Sequence, residues 1–592
     1  MRNAETILNI IRERGAKGLP LGQVYRQLYN PELYLHAYSK IGRNRGAMTP
    51  GTTTETVDGM NLDKIQAITD ALREEKYRFK PARRVYIEKK HSGKKRPLGI
   101  PTWGDKLVQE VIRRILEAYY EPQFSESSHG FRPKRGCHTA LATIAKTWTG
   151  TAWFIEGDIR GCFDNIDHDV LMRILGEKIK DNRFLRLIKN LLESGYMEDW
   201  AYHKTYSGAP QGGVASPILA NIYMDRLDQF VEQTLIPTYT LGNERARNPE
   251  YEAVQSAEHY QRKKGNRERA EELRKIKFTM PSRDTHDPKY RRLRYVRYAD
   301  DFILGFAGPK REAEEIKAKI AEFLQETLKL DLSEEKTLIT HGRNGKARFL
   351  GYDLQVGHND TYRRNNRRSV NAGIRLLVPD SVVTDHAKRY RLKGRTRRRP
   401  ELLNDSDFAI VNHYQSRFRG LANFYQFAHD RSGKLSRLKG VMEHSLVMTL
   451  ANKQHTWVSR IYQRYGARIH RGNGKTYKGL EVRVEREGKE PLVAVWGGIS
   501  LARVKEYKKV ALVDEIKLPI CGTVEMLQKL LATTCELCGS TEKVQVHHVR
   551  ALKDLTKNGR QPTTAQRIMA ERRRKTMAVC HGCHVAIHQG RA

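Results

Sequence analysis

The chain has 592 residues, of which 107 are Lys or Arg and 68 are Asp or Glu, so its formal net charge is +39. This length predicts several domains, and the lack of an uninterrupted apolar run of about 20 residues excludes a membrane-spanning helix. The positive excess favours a polyanionic partner, and without a secretory signal pattern we expect an intracellular protein.

The first half of the chain divides into a helical segment and a mixed domain. Apolar residues recur every three to four positions in NAETILNIIRERG and NLDKIQAITDALREEKY. This spacing predicts that residues 1–80 form a helical N-terminal extension together with the start of the next domain. From 81 to 365 strand and helix patterns alternate, which predicts one α/β domain. A polar, strongly charged stretch at about 236–291 is predicted to be a partly helical surface insertion.

The second half changes character. Residues 366–475 have helical patterns and include a basic run at 386–399 with eight Lys or Arg and no acidic residue. A strand-like stretch and a second basic run occupy 476–530, for which we predict a small DNA-binding linker region. Seven cysteines are too few for a disulfide framework, and four of them lie in 531–592, where we predict metal binding.

Two separate strand ends present acidic side chains. WFIEGDIRGCFDNIDH is an apolar strand that ends at Asp158, and LRYVRYADDFILGF predicts two strands joined by a turn that carries Asp300 and Asp301. Acidic residues at a hairpin tip are often only turn formers. In so basic a chain, however, carboxylates from two strand ends favour a cage for two Mg²⁺ ions, which indicates polymerase chemistry.

The same region resembles the reverse transcriptases of group II introns. Four long blocks carry the resemblance and stand in the family's order: RPLGIPTWGDKLVQEVIRRILEAYYEP at 96–122, FIEGDIRGCFDNIDH, GAPQGGVASPILANIYMDRLD at 208–228 and YADD at 298–301. The resemblance implies a right-hand fingers and palm architecture. It also implies that Asp158, Asp300 and Asp301 bind the catalytic Mg²⁺ ions.

The resemblance further assigns a pocket for deoxynucleoside triphosphates. Phe163 matches the aromatic gate that excludes a ribose 2′-hydroxyl, and Gln211 matches the contact to the sugar of the incoming nucleotide. Lys95 and Arg96 match the residues that clamp the triphosphate. From the residues alone, the alternative for Phe163 is an ordinary core position, and the alternative for either basic residue is a contact to duplex phosphates.

Downstream, FRGLANFYQFAHD and SLVMTLANKQHTWVSRIYQRYG resemble the thumb or maturase domain X of the same intron-encoded proteins. The apolar residues at helical spacing are most simply a packing face. The resemblance implies binding of intron RNA, and five basic residues are candidates for contacts to its phosphates: Arg397, Arg398, Arg399, Arg419 and Lys453.

The C-terminal cysteines and histidines predict two metal sites. Two CxxC pairs can close a tetrahedral Zn²⁺ site: Cys535, Cys538, Cys580 and Cys583. The alternative is a purely structural zinc module with surface histidines. Spare histidines beyond a complete four-cysteine site argue for a second metal centre: His547, His548, His584 and His588.

This cluster resembles the HNH endonuclease domain. The resemblance implies that His547 and His588, joined by His584, hold a divalent ion, while His548 is the general base towards a DNA phosphodiester. Where a central Asn often stands in the family, this chain has Lys575-Thr576, which bears on how His548 is positioned.

Together these features predict a multidomain α+β protein with right-hand reverse transcriptase fingers and palm, an α-helical thumb or domain X, a linker region, and a zinc-containing ββα-metal HNH domain at 531–592. The expected partners are a group II intron RNA, as a ribonucleoprotein with its lariat, and a target DNA. The expected location is the bacterial cytoplasm with the nucleoid, and a homodimer stays open. The alternatives are a splicing factor with decayed catalytic domains, or a reverse transcriptase of a defence or diversity-generating system.

Overall fold

The computed structural model describes the chain apart from these residues: 1–2, 89–94, 206, 209–211, 285–286, 360–362, 365–366, 369–371, 471–475, 508–511, 513–519, 553–554, 556–561, 573 and 592. Five further stretches are described without side chains: 45, 363–364, 367–368, 489 and 520–524. Across the described residues, no helix combines the length and the apolar character needed to cross a membrane.

Helices form much of the first 80 residues, as their apolar spacing predicts. They are α-helices at Ala4–Ala16, Pro31–Ile41 and Leu62–Arg73, and 3₁₀ helices at Tyr25–Tyr29 and Arg45–Met48. An asparagine caps each α-helix by accepting a hydrogen bond from the first turn. The first α-helix packs so closely on the helix Trp103–Tyr120 that a Cβ on Gly15 would overlap the carbonyl oxygen of Tyr119.

A four-stranded sheet comes next, built from β1 (Ala82–Glu88), β2 (Lys95–Ile100), β4 (Tyr196–Glu198) and β5 (Ala201–His203). The strand order is β2-β1-β4-β5. β1 and β2 form an antiparallel hairpin in which Glu88 pairs with Lys95. Lys95 and Arg96 therefore lie at the beginning of the returning strand.

A second four-stranded sheet is antiparallel and has the order β6-β7-β3-β8. Its strands are β3 (Trp153–Asp158), β6 (Arg292–Tyr298), β7 (Asp301–Ala307) and β8 (Ile339–His341). Successive side chains of β3 enter different cores, since Phe154 packs in one hydrophobic cluster and Ile155 in another. Both faces of this sheet are buried, so its catalytic candidates lie on a rigid support.

Helices surround the second sheet. They lie at Cys137–Thr147, Cys162–Asn165, His168–Lys178, Asn182–Leu192, Ser216–Phe230, Ile236–Thr238 and Lys310–Leu328, with a π-helical turn at Val231–Leu235. The predicted insertion is partly helical, with helices Pro249–Lys263 and Arg267–Lys277. Buried Glu258 joins the two helices through an ion pair with Lys277, and it also pairs with Arg262 on its own helix.

A helical region and two small sheets follow. The helices are Asp380–Lys388, Asp407–Phe424, Arg431–Lys453 and Val458–Tyr465, with a 3₁₀ turn at Pro400–Leu402. One sheet has the order β13-β10-β9 and consists of β9 (Ala347–Phe349), β10 (Tyr352–Val356) and β13 (Ile374–Leu377). The other has the order β16-β17-β18, from β16 (Gly466–His470), β17 (Thr476–Arg486) and β18 (Lys489–Trp496). Two short hairpins complete this part: β11 (Arg363–Arg364) with β12 (Arg367–Arg368), and β14 (Arg391–Leu392) with β15 (Arg395–Thr396).

The C-terminal region is built around a two-stranded hairpin and a helix. β19 (Val544–His548) pairs antiparallel with β20 (Thr576–Cys580), and the helix His581–His588 follows β20 directly. Two more helices pack here, at Ile520–Leu530 and Thr564–Glu571. Met526 and Val546 are buried in the core of the N-terminal half, so this region docks on the beginning of the chain.

Candidate active sites

Three carboxylates converge at one end of the second sheet. Asp158 is the last residue of β3 and lies opposite Asp301, the first residue of β7. The two-residue connection from β6 to β7 is Ala299-Asp300, and Ala299 has a φ of 57°. Such a left-handed conformation is unusual for alanine and is typical of strained turns at functional sites. The turn holds Asp300 beside the pair Asp158 and Asp301.

The three carboxylates create a strongly acidic pocket. Burial, together with Asp300 and Asp158, raises the pKa of Asp301 to about 7. Burial and Asp158 also raise the pKa of Asp300. Carboxyl groups that resist ionisation because they lie close together favour a bound cation, which removes their repulsion. The residues therefore fit a site for divalent metal ions.

Lys336 supplies a positive charge to this pocket. Its Nζ atom donates a hydrogen bond to Asp158 Oδ2 at 2.9 Å, while the side chain stays largely exposed. The sequence analysis did not single out Lys336. The only signal was its place in LSEEKTLIT, a stretch that carries no chemistry of its own.

Behind the turn lies a fully buried ion pair that the sequence analysis also missed. The Arg297 guanidinium donates to both carboxylate oxygens of Asp228 at 2.7 and 2.6 Å, and both side chains are inaccessible to solvent. Arg297 also donates to Ser128 Oγ at 2.9 Å and to the Ala299 carbonyl at 2.8 Å. Arg297 thus fixes the turn that carries Asp300.

Replacing Arg297 by methionine is expected to destabilise this region by about 3–5 kcal/mol, because Asp228 would keep its buried negative charge with only the Tyr295 hydroxyl as a donor and no cationic partner. Thermal and urea denaturation of the full chain would measure the loss. Arg294→Met is the matched control, since Arg294 lies on the same strand but is only half-buried. Equal melting of both variants would contradict the structural role of the ion pair.

The candidate nucleotide-binding residues surround the acidic pocket to different extents. Arg96 is exposed, and its charge offsets part of the rise in the pKa of Asp300, so Arg96 lies near the pocket. Lys95 is exposed next to it. Phe163 is half-buried and its ring stands edge-on to Phe131, with centroids 6.2 Å apart. Gln211 lies outside the described residues.

The candidate RNA-binding residues separate into two groups. Arg398 and Arg419 are exposed, and within the described residues neither has an ion pair. Lys453 instead donates to Asp407 Oδ1 at 2.7 Å, and Arg399 pairs with Glu401 at 2.7 Å. Arg397 is half-buried. Arg398 and Arg419 are therefore the residues most available to an external phosphate.

Four sulfur atoms converge in the C-terminal region. Cys535, Cys538, Cys580 and Cys583 place their Sγ atoms within 4.8 Å of one another. In each CxxC turn a backbone N–H donates to the first sulfur, from Cys538 to Cys535 at 3.5 Å and from Cys583 to Cys580 at 3.4 Å. Burial opposes ionisation of Cys535, but backbone donors lower its pKa to about 6. Four convergent cysteine sulfurs are the ligand set of a structural zinc site.

The predicted histidine cluster is also assembled. His547 and His548 are the last two residues of β19. His584 and His588 lie one turn apart on the helix His581–His588. The Nε2 atoms of His584 and His588 are 3.3 Å apart. The ring centroid of His547 lies 5.1 Å from that of His584 and 5.3 Å from that of His588. Three imidazole nitrogens that face one another suit a divalent ion.

A fourth ligand atom comes from the other end of the chain. Asp58 Oδ1 lies 3.1 Å from His584 Nε2 and 3.3 Å from His547 Nδ1, and Asp58 Oδ2 lies 2.8 Å from His588 Nε2. Burial opposes ionisation of Asp58, but the neighbouring His547 and His584 imidazoles hold its pKa well below its usual range. The sequence analysis did not find Asp58, since nothing in TVDGM indicates a metal ligand.

His548 is buried, like His547. It is 6% exposed, and its Nε2 atom lies 3.0 Å from the hydroxyl of Tyr38. Burial lowers the pKa of His548 to about 4. Thr576, one of the two residues in place of the central Asn, is paired directly with His548 across the hairpin.

Three family models match successive parts of the chain. Residues 87–354 match the reverse transcriptase (RNA-dependent DNA polymerase) model, and residues 365–490 match the type II intron maturase model. Residues 535–584 match the AI2M/AI1M-like HNH endonuclease model. The three matches have the same order as the acidic pocket, the helical region and the cysteine and histidine clusters.

Several relatives are similar over nearly the whole chain. The group II intron-encoded protein LtrA of Lactococcus lactis subsp. cremoris is 38% identical over 598 aligned residues, which cover 95% of each chain. An uncharacterized 91 kDa protein in the cob intron of Schizosaccharomyces pombe is 35% identical, covering 99% of this chain and 73% of the relative. A putative COX1/OXI3 intron 1 protein of Saccharomyces cerevisiae is 32% identical, covering 95% and 68%.

Proposed function

Because this chain belongs to the family of group II intron-encoded proteins, with reverse transcriptase, maturase and HNH endonuclease domains, we propose that three sites cooperate in intron mobility. The acidic pocket copies intron RNA into DNA, the helical region binds that RNA and assists its splicing, and the C-terminal domain nicks a DNA target. The observation that carries the proposal is the register of Asp158 with Asp301 beside the Ala299-Asp300 turn.

In the polymerase site, Asp158, Asp300 and Asp301 are the residues that would hold two Mg²⁺ ions. When bound, such a pair of ions activates a primer 3′-hydroxyl and stabilises the leaving pyrophosphate. The protein keeps the carboxylates in place through the strand pairing and through Arg297. Lys336, which is exposed, pairs with Asp158 and would supply a positive charge for a substrate phosphate.

The incoming deoxynucleotide would lie between the first hairpin and the acidic pocket. Arg96, which already acts electrostatically on Asp300, is placed to hold the triphosphate, with Lys95 as a second positive charge. Phe163, held edge-on by Phe131, would close the sugar side of the pocket against a 2′-hydroxyl. We assign Gln211 to the same sugar contact on the family resemblance.

The helical region would bind intron RNA mainly through its phosphates. Arg398 and Arg419 are exposed on this region and carry charges that the described residues do not neutralise. Lys453 and Arg399 contribute less directly, because each is held by a carboxylate. Contacts of this kind position the RNA without selecting its sequence.

Arg398→Ala and Arg419→Ala are each expected to weaken binding of intron RNA. Each should also reduce the slope of log affinity against log salt by about one, because one phosphate contact is lost. Filter binding at several salt concentrations would measure both effects. Arg311→Ala is the control, since Arg311 is equally exposed but lies on the palm helix Lys310–Leu328. Unchanged slopes for both thumb variants would contradict the proposed contacts.

The C-terminal domain would combine a structural and a catalytic metal. The four cysteines fit Zn²⁺ and hold the hairpin to its helix. His547, His584 and His588 would hold the divalent ion that binds the scissile phosphate of target DNA. His548 would take a proton from the attacking water.

Primer extension on an RNA template with Mg²⁺ and deoxynucleotides tests the proposal directly. The intact protein is expected to synthesise DNA and also to promote splicing of its intron RNA. A chain that promotes splicing but never extends a primer would instead be a splicing factor with decayed catalytic domains. A chain that extends primers but neither binds nor splices an intron RNA would be a reverse transcriptase of another system.

A further inference from the structure

The nuclease cluster is completed by a residue that belongs to another domain. Asp58 precedes His547 by almost the whole length of the chain, yet its carboxylate lies among the three histidines. One oxygen and three nitrogens, one from each residue, lie within 4.8 Å of one another. His547 Nδ1 is buried and forms no hydrogen bond among the described residues, although it is 3.3 Å from Asp58 Oδ1. A buried nitrogen atom without a hydrogen-bond partner is expected where that nitrogen and a neighbouring carboxylate bind the same metal ion.

Backbone contacts hold Asp58 in this place. The Gly59 N–H donates to the Val546 carbonyl at 3.0 Å, and the Val546 N–H donates to the Met60 carbonyl at 2.9 Å. The His548 N–H donates to Asp58 Oδ1 at 2.7 Å. The N-terminal segment thus forms an isolated antiparallel bridge with the edge of the nuclease hairpin, between Met60 and Val546, and this bridge positions the Asp58 carboxylate.

The number of ligands decides what such a site can do. Three histidines leave one corner of a tetrahedral site open, and a catalytic ion needs that corner for water or phosphate. Asp58 fills the corner with an anionic oxygen, the same kind of atom that a phosphodiester would present. A four-ligand site of this kind is closed, as in structural zinc sites.

The N-terminal half of the chain also covers His548, the proposed general base. Tyr38 is fully buried in the helix Pro31–Ile41, and its hydroxyl lies 3.0 Å from His548 Nε2. Its ring stands edge-on to the imidazole. His548 is therefore in contact with the N-terminal half at both its backbone N–H and its side chain, and 6% exposure leaves no room for a DNA backbone.

From these contacts we infer that Asp58 is the fourth ligand of the nuclease metal ion and that it closes the site in this docked conformation. The ion then joins the nuclease domain to the N-terminal segment. Cleavage requires that the domain moves away, so that the scissile phosphate replaces Asp58 and His548 is freed from Tyr38. This inference rests on the proposed assignment of the histidines to the nuclease metal.

Metal affinity tests the ligand role without reference to activity. The full chain, titrated with Zn²⁺ against a chromophoric chelator, should bind a first equivalent at the cysteines and a second at the histidines and Asp58. Asp58→Asn, which preserves the shape of the side chain and its acceptor oxygen, is expected to weaken the second equivalent at least about tenfold. The control is Asp63→Asn, an exposed carboxylate five positions on.

The variants separate failure of the inference from failure of the proposed function. If His588→Ala weakens the second equivalent and Asp58→Asn does not, the histidine site stands and Asp58 is no ligand. If His588→Ala has no effect either, the assignment of the nuclease metal itself is wrong.

The rate of DNA nicking distinguishes two roles for Asp58, which either closes the site against DNA or serves as a ligand during cleavage. With the intron ribonucleoprotein, a plasmid that carries the insertion site and saturating metal, Asp58→Asn and Tyr38→Phe are expected to nick faster than the wild type. Unchanged or slower nicking by Asp58→Asn at saturating metal would overturn the closed conformation. Circular dichroism and RNA binding would verify that the variants fold.

Discussion

Replacing Asp300 by asparagine is expected to reduce RNA-templated DNA synthesis by about a thousandfold or more. Metal ions at such a site contribute several kcal/mol of transition-state stabilisation, and each 1.36 kcal/mol corresponds to about a factor of ten in rate. Asparagine keeps the shape of the turn but removes the charge that attracts the ions. Primer extension with saturating deoxynucleotides and Mg²⁺ would measure the loss.

Asp169→Asn is a suitable control, because Asp169 is an exposed aspartate on the neighbouring helix His168–Lys178. Asp300→Asn should retain binding of intron RNA and splicing, since the helical region is unchanged. Wild-type rates of synthesis in Asp300→Asn would show that the acidic pocket is not the polymerase site.

His548→Ala is expected to reduce DNA nicking by about 10²–10⁴-fold, the usual contribution of a general base. The variant should still bind both zinc equivalents, because His548 is not among the convergent ligand atoms. Nicking of target DNA by the ribonucleoprotein would be measured by the release of a labelled strand. His444→Ala, an exposed histidine on the helix Arg431–Lys453, is the control. Undiminished nicking by His548→Ala would show that His548 is not the general base.

Local patterns predicted much of the fold around both sites. The apolar pattern of β3, β6 and β7 located these strands, and the structure confirms that Asp158 ends β3, whereas Asp301, which was predicted to lie in the turn, is the first residue of β7. The spacing of four between His584 and His588 correctly predicted one helix face. These features are determined by residues close in sequence, which is why a single sequence reveals them.

Contacts between distant parts of the chain were not predicted. Asp58 and Tyr38 meet the nuclease domain only because the N-terminal segment pairs with β19. Arg297 and Asp228 meet in the protein interior, and nothing in either sequence neighbourhood distinguishes them from surface charges. Composition also cannot show which basic residues are free. Arg419 is exposed, whereas Lys453 is held by Asp407.

The net charge of +39, the acidic pocket and the histidine cluster have complementary roles. A basic surface attracts RNA and DNA, and small acidic or imidazole-rich centres within it hold the cations that act on their phosphates. The acidic pocket lies near exposed Arg96. Its carboxylates would repel nucleic acid without cations, so metal and substrate are expected to bind together.

Target-primed synthesis is the measurement that tests this account most directly. The ribonucleoprotein is incubated with duplex DNA that carries the insertion site, labelled on the strand to be nicked, with Mg²⁺ and deoxynucleotides. We predict a nick whose 3′ end is extended with a copy of the intron RNA, a nick without extension for Asp300→Asn, and neither for His548→Ala. Extension by Asp300→Asn equal to that of the wild type, or a wild-type protein that never extends the nicked strand, would contradict the account.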